Sequence, residues 1–402
     1  MEKISSFFWR FISIFCLLFV ITFESPYSIF PPIYSFINPF FENLIYWTGT
    51  GVFGIKNDFS ATISSDSIGL YIHVFNLLFI SILLTFIWGL VYTIRVVNLR
   101  KYFFIISIYY TVLQMLIYGF DKIFKGQFFM PEPNTLFTNL GELTPGLLYW
   151  STIGSSWNYS FFIGFIEVLV ACLLLISRTR LIGIILGIGV MVNVVAVNFS
   201  YDISVKIYSL FLLGILMLNF IPYITYLYHV LVIKITTEFH ETKLSFFSKK
   251  PWQKKGMKAL IIFLFFTEAL FPYLKSGNWN DDTFSRPIFH GAYQIISPKN
   301  KPNSTNWKQV YIHRKGYFII KNQKNEMQDY HLSIDTINQI LNLNRYDNNT
   351  SFKLNYNQKN NSFTHLFGNI ENQKIDVLVN KINLQHLPLL NSKFHWTTEH
   401  NK

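Results

Sequence analysis

Hydrophobic residues gather into long runs in the first two-thirds of this chain, and polar residues dominate the last third. Runs of about 20 apolar residues match the thickness of a bilayer core. The pattern therefore predicts an α-helical polytopic membrane bundle with about seven spans. The predicted spans are Phe7–Phe23, Ile68–Ile94, Tyr102–Phe120, Phe161–Ser177, Leu181–Phe199, Ile207–Leu227 and Ala259–Leu274.

The segment between the first two spans, 26–67, is aromatic and interrupted by Pro and Gly. It is too broken to cross a membrane as a regular helix. Tyr46 and Trp47 suit the headgroup level of a bilayer. We expect an interfacial or re-entrant loop here, or alternatively a lid over a pocket.

The tail 276–402 is polar and alternates apolar with polar residues over short stretches, as half-buried strands do. The predicted strands are Val310–His313, Tyr317–Lys321, Ser351–Tyr356, Phe363–Ile370 and Ile375–Val379. Ser333 is a plausible N-cap, so Ser333–Leu343 is predicted to form a short helix. The tail is therefore expected to be a small β-rich or α+β soluble domain.

These patterns predict five consecutive regions. They are an N-terminal transmembrane region 1–101, a four-helix membrane core 102–233, a basic loop 234–258, a last transmembrane helix 259–275 and a soluble domain 276–402. Composition agrees with a membrane protein, because only 14% of the 402 residues are charged, against about 25% in ordinary soluble proteins.

Basic residues predict the orientation of the chain. The Lys/Arg-rich connections are 95–101, 178–180 and 234–258, and the connections that alternate with them are poor in Lys and Arg. By the positive-inside rule, the rich connections and the N-terminus are cytoplasmic, and the tail lies on the opposite side. The net charge of +12 follows this topology, so nucleic acid is not expected as a partner.

Several ionisable or polar residues occur within or beside the predicted spans, where they are costly unless they face a bundle interior or a watery cavity. They are Lys122, Glu167, Asn193, Asp202, Lys206, Asp121, His73 and Glu268. In the predicted topology nearly all lie in the outer half of the membrane, which predicts an outward-facing polar pocket. Ion-paired structural support, binding of a quinone headgroup or another amphipathic molecule, and a transport path all remain open.

Other chemistry has little support in the sequence. There is no HExxH motif, no Cys/His cluster and no nucleotide-binding fingerprint. The two cysteines, Cys16 and Cys172, lie in separate apolar runs. No metal site is predicted, and quinone is the one cofactor candidate.

The residues Gly119-Phe-Asp-Lys122 end one span, and Gly164-Phe-Ile-Glu167 lie in the next. With Asn193 and Asp202 after them, they resemble the DoxX family of bacterial membrane proteins, although Ala171 stands where that family often has Gly. The resemblance covers about a third of the chain and implies a four-helix bundle. It further implies a bacterial inner-membrane location with the tail in the periplasm.

The namesake of the family is a subunit of a thiosulfate:quinone oxidoreductase, so the resemblance also implies quinone-linked redox work. Two hypotheses follow. The protein is an accessory or binding protein, not itself an enzyme, whose partners are the lipid bilayer and a periplasmic or membrane protein. Alternatively, it is a quinone-interacting subunit of a membrane oxidoreductase.

The predicted orientation can be tested with a membrane-impermeant thiol reagent. In intact cells producing the Cys16→Ser, Cys172→Ser variant, a cysteine added within 234–258 should resist labelling, because the membrane shields the cytoplasmic side. A cysteine added within 276–402 should react. The reverse pattern would overturn the orientation.

Overall fold

The computed structural model describes most of the chain. The described residues are 2–30, 33–56, 59–63, 65–91, 96–234, 251–296, 305–346, 350–358, 363–371, 373–391 and 396–397. Most of the predicted basic loop, 235–250, thus lies outside them. The chain divides into a helical unit, Met1–Gln127 with Asn158–Trp279, and a barrel unit, Phe128–Trp157 with Asn280–Lys402.

The helical unit consists of long apolar helices. Its described helices are α1 Glu2–Thr22, α2 Ile33–Gly51, α3 Ile68–Val91, α4 Val96–Ile123, α7 Trp157–Leu175, α8 Arg180–Ser200, α9 Lys206–Tyr228 and α10 Pro251–Ser276. Two short helices, α5 Pro133–Leu136 and α6 Pro145–Gly154, belong to the barrel unit. Among the described residues, six helices (α3, α4 and α7 to α10) are long and apolar enough to cross a membrane. The prediction of a multi-pass helical part is therefore confirmed by the length and composition of these helices.

Helix α1 pairs with α3 in antiparallel orientation. Near one end, the rings of Phe7 and Phe86 lie 5.2 Å apart. Near the other end, His73 Nε2 and Thr22 Oγ1 are 2.9 Å apart. The apolar part of α1, Ser6–Thr22, is shorter than the six candidate spans, yet it runs beside α3 over most of the length of that helix.

The expectation of a loop between the first two spans is wrong for residues 33–51, which form α2. Pro39 lies inside this helix on its exposed side. Phe41, Ile45 and Thr48 recur every three or four residues and are buried against the unit. Packing of this face outweighs the helix-breaking tendency of proline.

The barrel unit holds an eight-stranded antiparallel sheet that closes on itself. Its strands are β1 Gly291–Ile296, β2 Trp307–His313, β3 Tyr317–Asn322, β4 Met327–Asp335, β5 Ile340–Asn344, β6 Ser351–Gln358, β7 Phe363–Ile370 and β8 Gln373–Lys381. Each strand pairs with the next, and β8 pairs with β1 to close the barrel. The predicted β-rich C-terminal domain is confirmed.

The interior of the barrel is filled by its own side chains. Phe318, Leu343 and Leu354 are fully buried at its centre. A cavity lined by Tyr293, Leu341 and Leu366, among others, measures about 10 Å³, roughly the minimum that one water molecule needs. An eight-stranded barrel is just wide enough either to be filled in this way or to hold a small ligand. This barrel is of the filled kind.

The predicted helix Ser333–Leu343 is wrong, because these residues end β4, make a turn and form β5. The carboxylate of Asp335 accepts hydrogen bonds from the backbone N–H groups of Ile337 and Asn338. Gln339 has φ +57° and completes the turn. Leu332 and Leu343 then face each other across the strand pair.

Candidate functional site

The candidate site in the helical unit begins with a close approach of α4 and α7. A Cβ atom added at Gly164 would lie 2.5 Å from the carbonyl oxygen of Gly119. A Cβ atom at Gly119 would lie 3.0 Å from the carbonyl oxygen of Gly164. Only glycine at both positions lets the two backbones come this close, as small residues do at membrane helix contacts.

An ion pair forms three residues beyond each glycine. The ammonium group of Lys122 donates to Oε2 of Glu167 at 2.8 Å. Their side chains are 9% and 6% exposed. Lys122 Nζ also lies 5.5 Å from the centre of the Tyr118 ring. The Ser160 hydroxyl donates to the Lys122 carbonyl at 2.8 Å, which fixes the start of α7 against the end of α4.

A line of polar side chains continues from this pair along α4. We call Tyr110, Gln114, Tyr118 and Lys122 the polar stripe. Gln114 Nε2 donates to the Tyr27 hydroxyl at 3.1 Å. The hydroxyls of Tyr110 and Tyr208 are 2.9 Å apart, and the ring of Tyr208 lies 6.3 Å from that of Tyr118. The bundle therefore contains a polar interior that extends well beyond one ion pair.

Sequence reasoning missed the tyrosines and Gln114 of this stripe. The signal was present, because the four residues follow one another at intervals of four, and such residues lie on the same face of a helix. Hydroxyl and amide groups are less conspicuous than charges in an apolar run, so Lys122 is the one residue of the stripe that the sequence predicts as a site residue.

The structure places Asp121 beside the ion pair and separates the other predicted site residues from it. Asp121 Oδ1 accepts from the Tyr273 hydroxyl at 2.7 Å, which joins α4 to α10. Glu268 accepts from the backbone N–H groups of Ser28, Ile29 and Phe30. Glu268 therefore holds α10 to the segment after α1.

The remaining predicted residues lie in three different places. Lys206 Nζ donates to Asp202 at 2.7 Å, and Asp202 is largely exposed. His73 is fully buried and bonded to Thr22. Asn193 is exposed on α8. The predicted residues thus do not line one common cavity in the structure.

The N-terminus of α9 is capped by an aspartate that the sequence analysis did not select. The carboxylate of Asp66 accepts from the backbone N–H groups of Lys206 at 2.7 Å and Ile207 at 3.1 Å. A carboxylate at a helix N-terminus satisfies free N–H groups and interacts favourably with the helix dipole. Asp66 and Asp202 therefore hold Lys206 at a helix end.

The barrel unit has its own charged cluster, centred on Glu132 and called the Glu132 cluster below. Glu132 is 4% exposed and accepts from Arg314, and also from His290 at 3.1 Å. Arg314 bonds to Asp281 as well, and its guanidinium lies 4.3 Å from the centre of the Phe129 ring. The cluster fastens the segment Phe128–Trp157 to the strands of the barrel.

Hydrogen bonds and neighbouring charges together decide the ionisation of Glu132. Burial would raise the pKa of Glu132, but the hydrogen bond from His290 and the charges of Arg314 and His313 outweigh it and lower the pKa to about 2. Burial lowers the pKa of His313, although Glu132 opposes the shift. Glu132 is therefore ionised across the whole physiological range.

Among the residues that the structure describes, no three His, Cys, Asp or Glu side chains lie close enough to hold a metal ion. A shallow groove of about 330 Å³ on β7 and β8 is lined by His365, Phe367 and Asp376, among others. None of the predicted site residues lines it.

Comparison with known proteins finds one partial relative. The uncharacterized protein YwoB of Bacillus subtilis (strain 168) is 35% identical over 99 residues. The match covers 22% of this chain and 56% of YwoB, little more than half of that relative's length. No protein-family model and no solved structure matches the chain. A match of this extent assigns no family.

The glycine contact gives a direct test of how the ion pair is positioned. We expect Gly164→Ala to destabilise the protein by about 1–3 kcal/mol, because the added methyl group overlaps the Gly119 carbonyl. Gly189→Ala is the control, because a Cβ atom there meets nothing within 4 Å. Thermal unfolding in detergent measures both. Equal stability of the two variants would contradict the close packing.

The Glu132 cluster predicts a loss of stability in acid. The folded-state pKa of Glu132 is depressed, so its contribution is present above the unfolded pKa of about 4.5 and is lost as pH falls toward 2. The shift corresponds to about 3 kcal/mol. Calorimetry between pH 7 and pH 3 should show a steeper decline for the wild type than for Glu132→Gln.

Asp376→Asn is the control for this prediction. Asp376 also pairs with a histidine, His365 at 2.7 Å, but it is half exposed. We expect this variant to keep the wild-type pH dependence. A Glu132→Gln variant that declines as steeply as the wild type would show that Glu132 does not carry the effect.

Proposed function

We propose that this protein is a DoxX-like membrane binding protein whose helical unit receives the polar head of an amphipathic molecule at Lys122, Glu167 and the polar stripe. The observation that carries the proposal is the buried ion pair at 2.8 Å. A buried ion pair is often no more stabilising than apolar residues of similar size. Because such a pair adds little stability, ionisable residues within membrane helices favour a functional role over a purely structural one.

An unsatisfied acceptor supports the same site. Gln114 is fully buried, and its Oε1 has no hydrogen-bond partner in the part of the chain that the structure describes. A buried polar atom without a partner costs about 1–3 kcal/mol. A hydroxyl or amine on a ligand head, or a bound water, would satisfy it.

A quinone-interacting subunit of a membrane oxidoreductase is the second candidate. Lys122 and the tyrosine hydroxyls are donors that suit quinone carbonyls, and Glu167 is a group that can exchange protons within the same cluster. Under this candidate the bound molecule is a quinone and the partner is a redox subunit. The first candidate requires only an amphipathic molecule.

The test is to identify what co-purifies in mild detergent. Solvent extraction and mass spectrometry should find an amphipathic molecule in near-stoichiometric amount with the wild type and at least tenfold less with Glu167→Gln. Lys206→Gln, which breaks a pair whose aspartate, Asp202, is 84% exposed, should retain it. A quinone in the extract would favour the second candidate.

A charge-reversed variant separates binding from structural support. Lys122→Glu combined with Glu167→Lys can restore an ion pair and hence much of the stability that either single change removes. If the pair serves binding, the double variant regains stability but not the bound molecule. Equal amounts of that molecule in all variants would overturn the proposal.

A further inference from the structure

Helix α2 presents three different faces, each covering about a third of its circumference at 100° per residue. The buried face includes Phe41, Ile45 and Thr48; the exposed aromatic face carries Phe36, Phe40 and Trp47; and the exposed polar face carries Ser35 and Glu42. On the aromatic face, the residues are 82%, 70% and 66% exposed. A helix in water would not expose three large aromatic residues in one stripe.

The contacts of α2 show that it crosses α3 steeply. Thr48 Oγ1 donates to Asn76 Oδ1 at 2.9 Å, and the ring of Phe41 lies 4.8 Å from that of His73. The two contacts are seven residues apart on α2 but only three apart on α3. Helices that ran side by side would show equal spacing on both.

The crossing point lies near one end of α3. His73 and Asn76 are within the first two to three turns of the helix, which begins at Ile68, and α3 is a candidate membrane span. That position corresponds to a depth of roughly 8–12 Å at 1.5 Å per residue. Amphipathic helices that lie in the membrane interface bury their apolar face to about this level.

We infer that α2 is an in-plane membrane helix, with its aromatic face in the lipid and its polar face toward water. The steep crossing orients it along the membrane surface when α3 spans the bilayer. Because the aromatic face and the polar face point in different directions, the aromatic face can contact lipid while the polar face contacts water. Phe and Trp are residue types that bind at this interface, and Glu42 is the charged residue of the helix. The partner of this surface is therefore the lipid bilayer itself.

Spin-label accessibility tests the inference on the full-length protein in liposomes. Single cysteines are introduced as Phe36→Cys, Trp47→Cys and Glu42→Cys in a Cys16→Ser, Cys172→Ser background. All three positions are exposed, so the label does not disturb the packed face. Oxygen collisions should dominate at positions 36 and 47, and collisions with a water-soluble nickel complex should dominate at position 42.

Depth gives the decisive comparison. An in-plane helix places positions 36 and 47 at equal depth, whereas a spanning helix separates them by about 16 Å over eleven residues. Ile82→Cys, an exposed position in the middle of α3, provides the reference for a deep site. A large depth difference between positions 36 and 47, or preferential nickel access at both, would overturn the inference.

Discussion

The helical unit depends on two glycines that face each other. Gly119 and Gly164 bring the backbones of α4 and α7 into contact, and this contact sets the distance across which Lys122 and Glu167 meet at 2.8 Å. Desolvation makes a buried ion pair costly unless its geometry is close to ideal. Glycine supplies that geometry, because any side chain at either position would separate the helices. The rest of the polar stripe then lies on a face of α4 that is already directed into the bundle.

Much of the fold could be predicted because the decisive patterns are local. The length of an apolar run and the alternation within a strand are both read over fewer than 25 residues, and the five predicted strands correspond to β2, β3, β6, β7 and β8. The helix predicted for 333–343 is wrong because of Ile337, which is 91% exposed at the tip of a turn. Together with apolar strand residues on either side, Ile337 gives a spacing that resembles that of a helix. Helix α2 is not predicted, because Pro39 and the glycines near its end are typical of breaks in a helix.

The candidate site was only partly predictable for a different reason. Lys122 and Glu167 could be selected individually, because a charge within an apolar run is conspicuous. The Glu132–Arg314 pair could not be predicted, because it joins residues 182 positions apart. Both residues also occur in ordinary polar stretches of the sequence. Asn193 shows the opposite error. A polar residue in a predicted span is expected to face the interior, but packing leaves Asn193 exposed.

The barrel unit is discontinuous in sequence, which has a consequence for the order in which the protein is made. Phe128–Trp157 leaves the ribosome long before the strands that it packs against. Arg314 follows Glu132 by 182 residues, which takes roughly 10–40 s at common rates of synthesis. Throughout that interval the Glu132 carboxylate has no guanidinium partner, while the four helices α7 to α10 are still being made. The first segment of the barrel unit therefore waits for Arg314, and the Glu132 cluster forms only after α7 to α10 have been made.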